Sequence, residues 1–169
     1  MSGILRVGSK APAFTLPDQH DDTIKFSDFK GQWVVLYFYP KDDTPGCTTE
    51  ACDFTAGIKG LEKLNAAVLG VSADSPESHR KFIKKYNLQI TLLSDPGHAM
   101  MQKYGAWQLK KTYGKEYMGI MRTTYLIDPT GKVAFVWEKV SADGHAKKVA
   151  EKLAELTKIY QNANSAVRR

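Results

Sequence analysis

The sequence has little cysteine: two thiols among 169 residues, Cys47 and Cys52. Two are too few for a disulfide scaffold, and a chain of this length buries enough apolar surface to fold without one. Nor does any run approach the ~18 consecutive apolar residues that a membrane helix needs, so no membrane partner is expected. The opening MSGILRVGSK lacks the apolar core of a secretory signal. These absences point to the cytoplasm, where thiols are kept reduced. Internal repeats and low-complexity linkers are missing too. The expectation is one domain over residues 1–169, with about 161–169 as a flexible tail.

Charge of one sign is not in large excess. Twenty-four Lys and Arg stand against 18 Asp and Glu, for a net charge of +6 and a pI near 9.2. Lys59, Lys63, Lys84, Lys85, Lys110, Lys111, Lys147 and Lys148 are spread among acids, and no RNP motif, zinc finger or basic arm occurs. That excludes nucleic acid as the expected partner. His20, His79, His98 and His145 lie far from one another and from the thiols, so no metal or other cofactor is expected.

What is present is an alternation of strand and helix patterns. AFTLPD and TIKFSDF flank the polar turn QHDD as an N-terminal β-hairpin. The continuous apolar run in QWVVLYFYP predicts a central strand covered on both faces. Residues 44–64 read as one helix, AAVLGVSA as a second buried strand and SPESHRKFIKKYN as a helix capped by Ser75 with Pro76 following. ITLLSD is a third buried strand, and PGHAMMQKYG is a short helix ending at Gly105. RTTYLID and KVAFVWEKV are strands joined by the turn PTG. HAKKVAEKLAELTKIY closes as an amphipathic helix with Val149, Leu153, Leu156 and Ile159 as its apolar stripe, and NANSAVRR follows as a frayed tail. Strands alternating with helices and then a hairpin predict an α/β chain with a mixed central sheet and helices on both faces. This is the element order of a thioredoxin-like fold with insertions.

Both thiols fall in TPGCTTEAC, residues 44–52. Thr44 suits an N-cap and Pro45 the first helical position, which puts Cys47 in the first turn. Unpartnered N–H groups and the positive end of the helix dipole favour a thiolate there. A free cysteine is only about 3% ionised at pH 7, and making it about 90% ionised takes roughly 3.4 kcal/mol. The dipole supplies at most ~2 kcal/mol, so a fixed cation is needed as well. Helical phase places Cys47 with Ala51, Phe54, Ile58 and Leu61 on an inward stripe. Cys52 lies roughly 140° around, on a face shared with Ala56, Lys59 and Lys63 that reads as solvated.

FYPKDDTPGCTTEACDF resembles the active-site segment of the peroxiredoxins, whose Pro-x-x-x-Thr-x-x-Cys pattern falls here on Pro40, Thr44 and Cys47. LRVGSKAPAFTLPD and VVLYFYP are similar to the same family. The Cys-x4-Cys spacing and RTTYLID point to its bacterioferritin-comigratory, or peroxiredoxin Q, branch, over about residues 4–160. The resemblance implies a thiol peroxidase of antioxidant defence that reduces hydrogen peroxide and organic hydroperoxides. Cys47 is then the peroxidatic cysteine, and Cys52 resolves it through an intramolecular disulfide. Thioredoxin, or a glutaredoxin-like protein, restores the thiols. Arg122 matches the family's active-site arginine and supplies the missing cation. Thr44 can hydrogen-bond the peroxide, the N–H groups of Gly46 and Cys47 can hold its oxygens, and Gly46 leaves room for close approach. Pro40 can cover the sulfur, and Glu50 can orient Arg122.

The chain departs from other branches. It has no Cys-x-x-Cys, so a general disulfide exchanger fits poorly, and it has no distant third cysteine for resolution between subunits. That leaves resolution within one chain; a monomer is expected. Gly-Gly-Leu-Gly and a C-terminal Tyr-Phe, which accompany over-oxidation sensitivity in relatives, are also missing. The competing readings are a disulfide oxidoreductase and a non-enzymatic redox sensor on the same fold. Thr44 and Arg122 favour the peroxidase, since disulfide exchange needs neither. One further expectation is geometric. Residues five apart on an intact helix have Cα atoms about 8.7 Å apart, beyond the roughly 7 Å a disulfide tolerates, so the helix must open for the sulfurs to meet.

Overall fold

The computed structural model describes residues 3–168. Its central sheet has five strands in the order β5-β4-β3-β8-β9. These are β3 (Trp33–Phe38), β4 (Ala66–Ser72), β5 (Thr91–Ser94), β8 (Thr123–Ile127) and β9 (Val133–Trp137). β3, β4 and β5 are parallel, while β8 runs antiparallel to β3 and β9 antiparallel to β8. The sheet is mixed, as the element order predicts.

The apolar run of β3 is explained by two cores. Trp33, Val35, Tyr37 and Tyr39 face one, and Val34, Leu36 and Phe38 face the other. Successive strand side chains point to opposite faces, so a strand covered on both sides can have no polar face. The first core is closed by α1 (Pro45–Ala56), α2 (Ile58–Lys63), α3 (Pro76–Tyr86) and α5 (His145–Arg168), which contribute Phe54, Leu61, Phe82, Val149 and Leu153. Burying each such side chain contributes about 1.5–3 kcal/mol. The second core takes Met100 and Met101 from α4 (Ala99–Lys103), Leu16 and Ile24 from the hairpin of β1 (Thr15–Pro17) and β2 (Thr23–Lys25), and Phe14 just before it. After β2 the chain turns at once into a 3-10 helix, Phe26–Phe29, so the second arm of the hairpin is shorter than TIKFSDF suggests.

Start signals held where side chains act locally. Ser75 Oγ accepts from the Ser78 N–H at 3.1 Å, with Pro76 opening α3. Elsewhere the structure differs. The helix expected over 44–64 is two helices, broken at Gly57. Residues after α4 form an unexpected hairpin, β6 (Trp107–Thr112) with β7 (Lys115–Ile120), turned at Tyr113 and Gly114, both at positive φ (51° and 76°). A two-residue turn with positive φ at both positions matches strand twist, but Tyr-Gly is not its usual composition. α5 continues through 168 rather than stopping near 160, and Arg169 lies outside the described residues. Ile159 is 57% exposed, because the helix seam passes instead through Thr157 and Tyr160, whose ring meets Trp33 edge-on. Among the described residues no helix is long and apolar enough to cross a membrane.

Candidate active site

β3 delivers the chain to the end of the sheet, where Tyr39 is buried and Pro40 is exposed. The next residues are bolted to neighbouring elements. The Asp42 N–H donates to Asp74 Oδ2 at 2.8 Å. The Asp42 carboxylate accepts from Tyr39 OH at 2.6 Å and Ser78 Oγ at 2.8 Å, and lies 2.7 Å from His79 Nδ1. His79 Nε2 is 3.1 Å from the Leu93 carbonyl, which can only accept, so that nitrogen carries a hydrogen. Asp43 sits at φ 58° and takes Lys85 Nζ at 2.8 Å and Tyr86 OH at 2.6 Å. The hydrogen bonds from Lys85 and Tyr86 hold the Asp43 carboxyl below its ordinary range. Sequence reasoning missed this clamp. Nothing local joins Asp42 to His79, which are 37 positions apart.

α1 starts immediately after the clamp. Thr44 stands at the N-cap position with extended backbone, but its hydroxyl donates to the Lys41 carbonyl at 2.8 Å instead of capping the helix. Cys47, in the first turn, is 1% exposed. Pro45 brings no N–H, and the helix supplies no acceptor for the N–H groups of Gly46 and Cys47.

Arg122 reaches this turn from the loop between β7 and β8. Its Nη2 donates to Cys47 Sγ at 3.4 Å and its Nη1 to Glu50 Oε1 at 2.7 Å. A Cβ on Gly46 would lie 3.0 Å from Nη2, so the room at Gly46 is occupied by the guanidinium. Glu50 is fully buried, and burial pushes its carboxyl up to about 7 although Arg122 pulls the other way. Burial works to lower Arg122, but the facing Glu50 and Cys47 leave it above its ordinary value. Tyr37 of β3 lies in the same core as Cys47, with its ring 4.9 Å from that of Phe54. Burial first, then Glu50 and Cys47, keep its phenol protonated far above the usual range.

Cys52 corrects the helical-phase reading. Ala56, Lys59 and Lys63 are exposed, but Cys52 is half-buried and packs on the same core as Cys47. Burial and neighbouring Asp53 push its thiol up. Both cysteines are free, on one intact helix. His145 opens α5, and no local pattern marks it. It is buried beside Phe54 and Trp137 with Nε2 2.8 Å from Thr124 Oγ1, and burial pushes it down to about 4.

A shielded thiol at a helix N-terminus, met by an arginine from a loop at the end of a thioredoxin-like sheet, defines a class of cysteine-based redox proteins. Comparison with known proteins narrows it: residues 7–136 match the AhpC/TSA family, to which this chain belongs, in the peroxiredoxin Q or Bcp branch. Peroxiredoxin Bcp of Bacillus subtilis is 46% identical over 153 residues, covering 90% of this chain and 98% of that protein. Peroxiredoxin Bcp of Escherichia coli K12 is 42% identical over 151 residues, 89% and 97% of the two chains. Among solved structures, the bacterioferritin comigratory protein of Xanthomonas campestris superposes with a TM-score of 0.85 at 36% identity, covering 92% of this chain and 99% of that one.

Proposed function

We propose that this peroxiredoxin reduces hydrogen peroxide and organic hydroperoxides at Cys47, and that Cys52 and thioredoxin complete the cycle. The observation that carries the assignment of Cys47 is Arg122 Nη2 at 3.4 Å from its sulfur in the first turn of α1. The relative from Xanthomonas campestris is described by its alkyl peroxide reduction activity, which supports the same chemistry here.

The Cys47 thiolate attacks one peroxide oxygen. An S–O bond forms, the O–O bond breaks, and Cys47 becomes a sulfenic acid while water or an alcohol leaves. The helix-start N–H groups of Gly46 and Cys47 and the guanidinium of Arg122 stabilise the charge that shifts onto oxygen. The hydrogen of the Thr44 hydroxyl is committed to Lys41, so toward a peroxide O–H the Thr44 oxygen acts as acceptor. Pro40, which follows β3 and is itself exposed, is assigned the part of shielding the sulfur once peroxide is bound. Cys52 then condenses with the sulfenic acid, releasing water, after α1 opens. Thioredoxin, or a glutaredoxin-like protein, reduces the disulfide.

The protein acts as one domain, as a cytoplasmic monomer, without cofactor. The test is NADPH-coupled turnover with thioredoxin or glutaredoxin and a set of peroxides, beside insulin reduction without peroxide. Peroxide consumption without insulin reduction is expected. The reverse result sinks the peroxidase reading in favour of a disulfide exchanger.

A further inference from the structure

The site holds one cation and two acids. Arg122 gives Nη1 to Glu50 Oε1 at 2.7 Å and Nη2 to Cys47 Sγ at 3.4 Å. Cys47 and Glu50 are three residues apart on α1, which puts them on one face of the helix. Both are closed off from solvent. If both were ionised, the cluster would carry an excess negative charge in a dry site, and a like charge disfavours ionisation of its neighbour. The second carboxyl oxygen, Oε2, is buried with no hydrogen-bond partner among the described residues. A buried oxygen without a partner is costly in either protonation state; protonated, Oε2 is a free donor to an arriving peroxide oxygen.

Resting on the reading of Cys47 as the peroxide-reducing residue, we propose that Glu50 is a catalytic proton carrier. It receives, through the bound peroxide, the proton that the Cys47 thiol loses, and hands it to the oxygen that leaves when the O–O bond breaks. The step balances. Cys47–SH and Glu50 carboxylate become thiolate and carboxylic acid. The thiolate then attacks the terminal oxygen of R–O–O–H, and sulfur is oxidised by two electrons to Cys47–S–OH. The O–O electron pair goes to R–O, which takes the Glu50 proton and departs as alcohol. Glu50 is left as carboxylate, ready for the next thiol proton.

The other titratable groups around it do not compete. Tyr37, from β3, stays a neutral phenol. His145, from α5, is pushed down to about 4 and is neutral at pH 7. Asp42 is fixed by Tyr39, Ser78 and His79. Burial lifts Glu50 to about 7, so it is protonated below that pH and ionised above it, and both forms are populated in the neutral range.

The alternative is that Glu50 only holds the guanidinium. Glu50→Gln separates the two, because an amide keeps the acceptor for Nη1 and the shape but cannot exchange a proton. The experiment is stopped-flow reaction of wild type and Glu50→Gln with cumene hydroperoxide and with peracetic acid. An alkoxide needs a proton to leave, and a carboxylate does not. The hydroperoxide rate should fall by about 100-fold, with a loss at least about tenfold greater than for the peracid. Equal losses on the two oxidants, or no loss on either, overturn the proposal. If wild type consumes neither oxidant, the peroxidase reading fails instead. Should Glu50→Gln not fold by circular dichroism, wild type in heavy water decides. The hydroperoxide reaction should slow about twofold more than the peracid reaction, and equal isotope effects overturn the proposal.

Discussion

Arg122 bridges Glu50 and Cys47: Nη1 donates to the carboxyl at 2.7 Å and Nη2 to the sulfur at 3.4 Å, each an ordinary length for its acceptor. The carboxylate fixes one arm of the guanidinium, and the other arm is left for the reacting atom. Arg122→Ala should therefore slow the reaction of Cys47 with peroxide by about 10²–10³-fold, even at a pH where the thiol is fully ionised. It should also destabilise the fold by about 1–3 kcal/mol at pH 8, and by less at pH 6, where the orphaned Glu50 takes up a proton. Stopped-flow kinetics and denaturant melts at both pH values check this. An unchanged peroxide rate removes Arg122 from the chemistry.

Cys47→Ser should abolish peroxide reduction, because an alcohol is barely ionised near neutral pH. Cys52→Ser should react once and stall as sulfenic acid or over-oxidise. Mass spectrometry after one equivalent of peroxide distinguishes the two. Thioredoxin-dependent turnover in Cys47→Ser would show the roles to be wrong.

Gly46→Ala should place a methyl 3.0 Å from Arg122 Nη2 and displace the guanidinium from the sulfur. Alanine favours the helix over glycine, so stability should hold or rise while the peroxide rate drops by about tenfold or more. A rate within about twofold of wild type would mean that the arginine shifts without consequence.

His79→Leu strips a partner from buried Asp42 and should lower stability by about 3 kcal/mol, or roughly 6–12 °C in Tm. Calorimetry is the check. A shift under about 2 °C would show that the clamp beneath the active-site turn is not needed to hold it.

Opening of α1 should depend on both redox state and pH. In the oxidised protein, amides over residues 44–60 should exchange faster than in the reduced protein, since the disulfide cannot span an intact helix. In the reduced protein, Glu50 is raised from its ordinary 4.5 to about 7. The intact helix thus keeps a proton that the opened helix releases, and its stability contribution is full below about 4.5 and lost as pH rises through 7. Opening should be more frequent at pH 8 than at pH 5 after correction for intrinsic exchange, and Glu50→Gln should flatten the difference. His145 acts on the whole fold with the opposite sign. Its value is depressed from 6.5 to about 4, so its contribution is present above 6.5 and lost as pH falls through 4. Equal protection of the segment in both redox states would refute the opening of the helix.

Legibility in the sequence followed the range of the interaction. The double-faced burial of β3, the cap at Ser75 and the inward position of Cys47 were readable, because each is decided by alternation, helical phase or a side chain three residues away. Residues with no local pattern were readable only through family resemblance. Arg122 is 75 positions from Cys47 and 72 from Glu50, and nothing periodic connects them. The hairpin of β6 and β7 is not legible locally, because Tyr113 and Gly114 turn it without the usual signal.

By itself, then, the sequence determined an α/β chain with a two-sided strand and a thiol in the first turn of a helix after Thr44 and Pro45, since propensity and periodicity act over a few residues. Tertiary structure decided what that thiol meets. Packing of α1 on the core half-buries Cys52 although its helical neighbours are exposed, and the sheet order brings the loop before β8 beside the start of α1. Burial then sets the chemistry. Glu50 shares one guanidinium with Cys47 away from water, and the proton it holds follows from that enclosure, because a carboxyl three residues along an exposed helix would simply ionise.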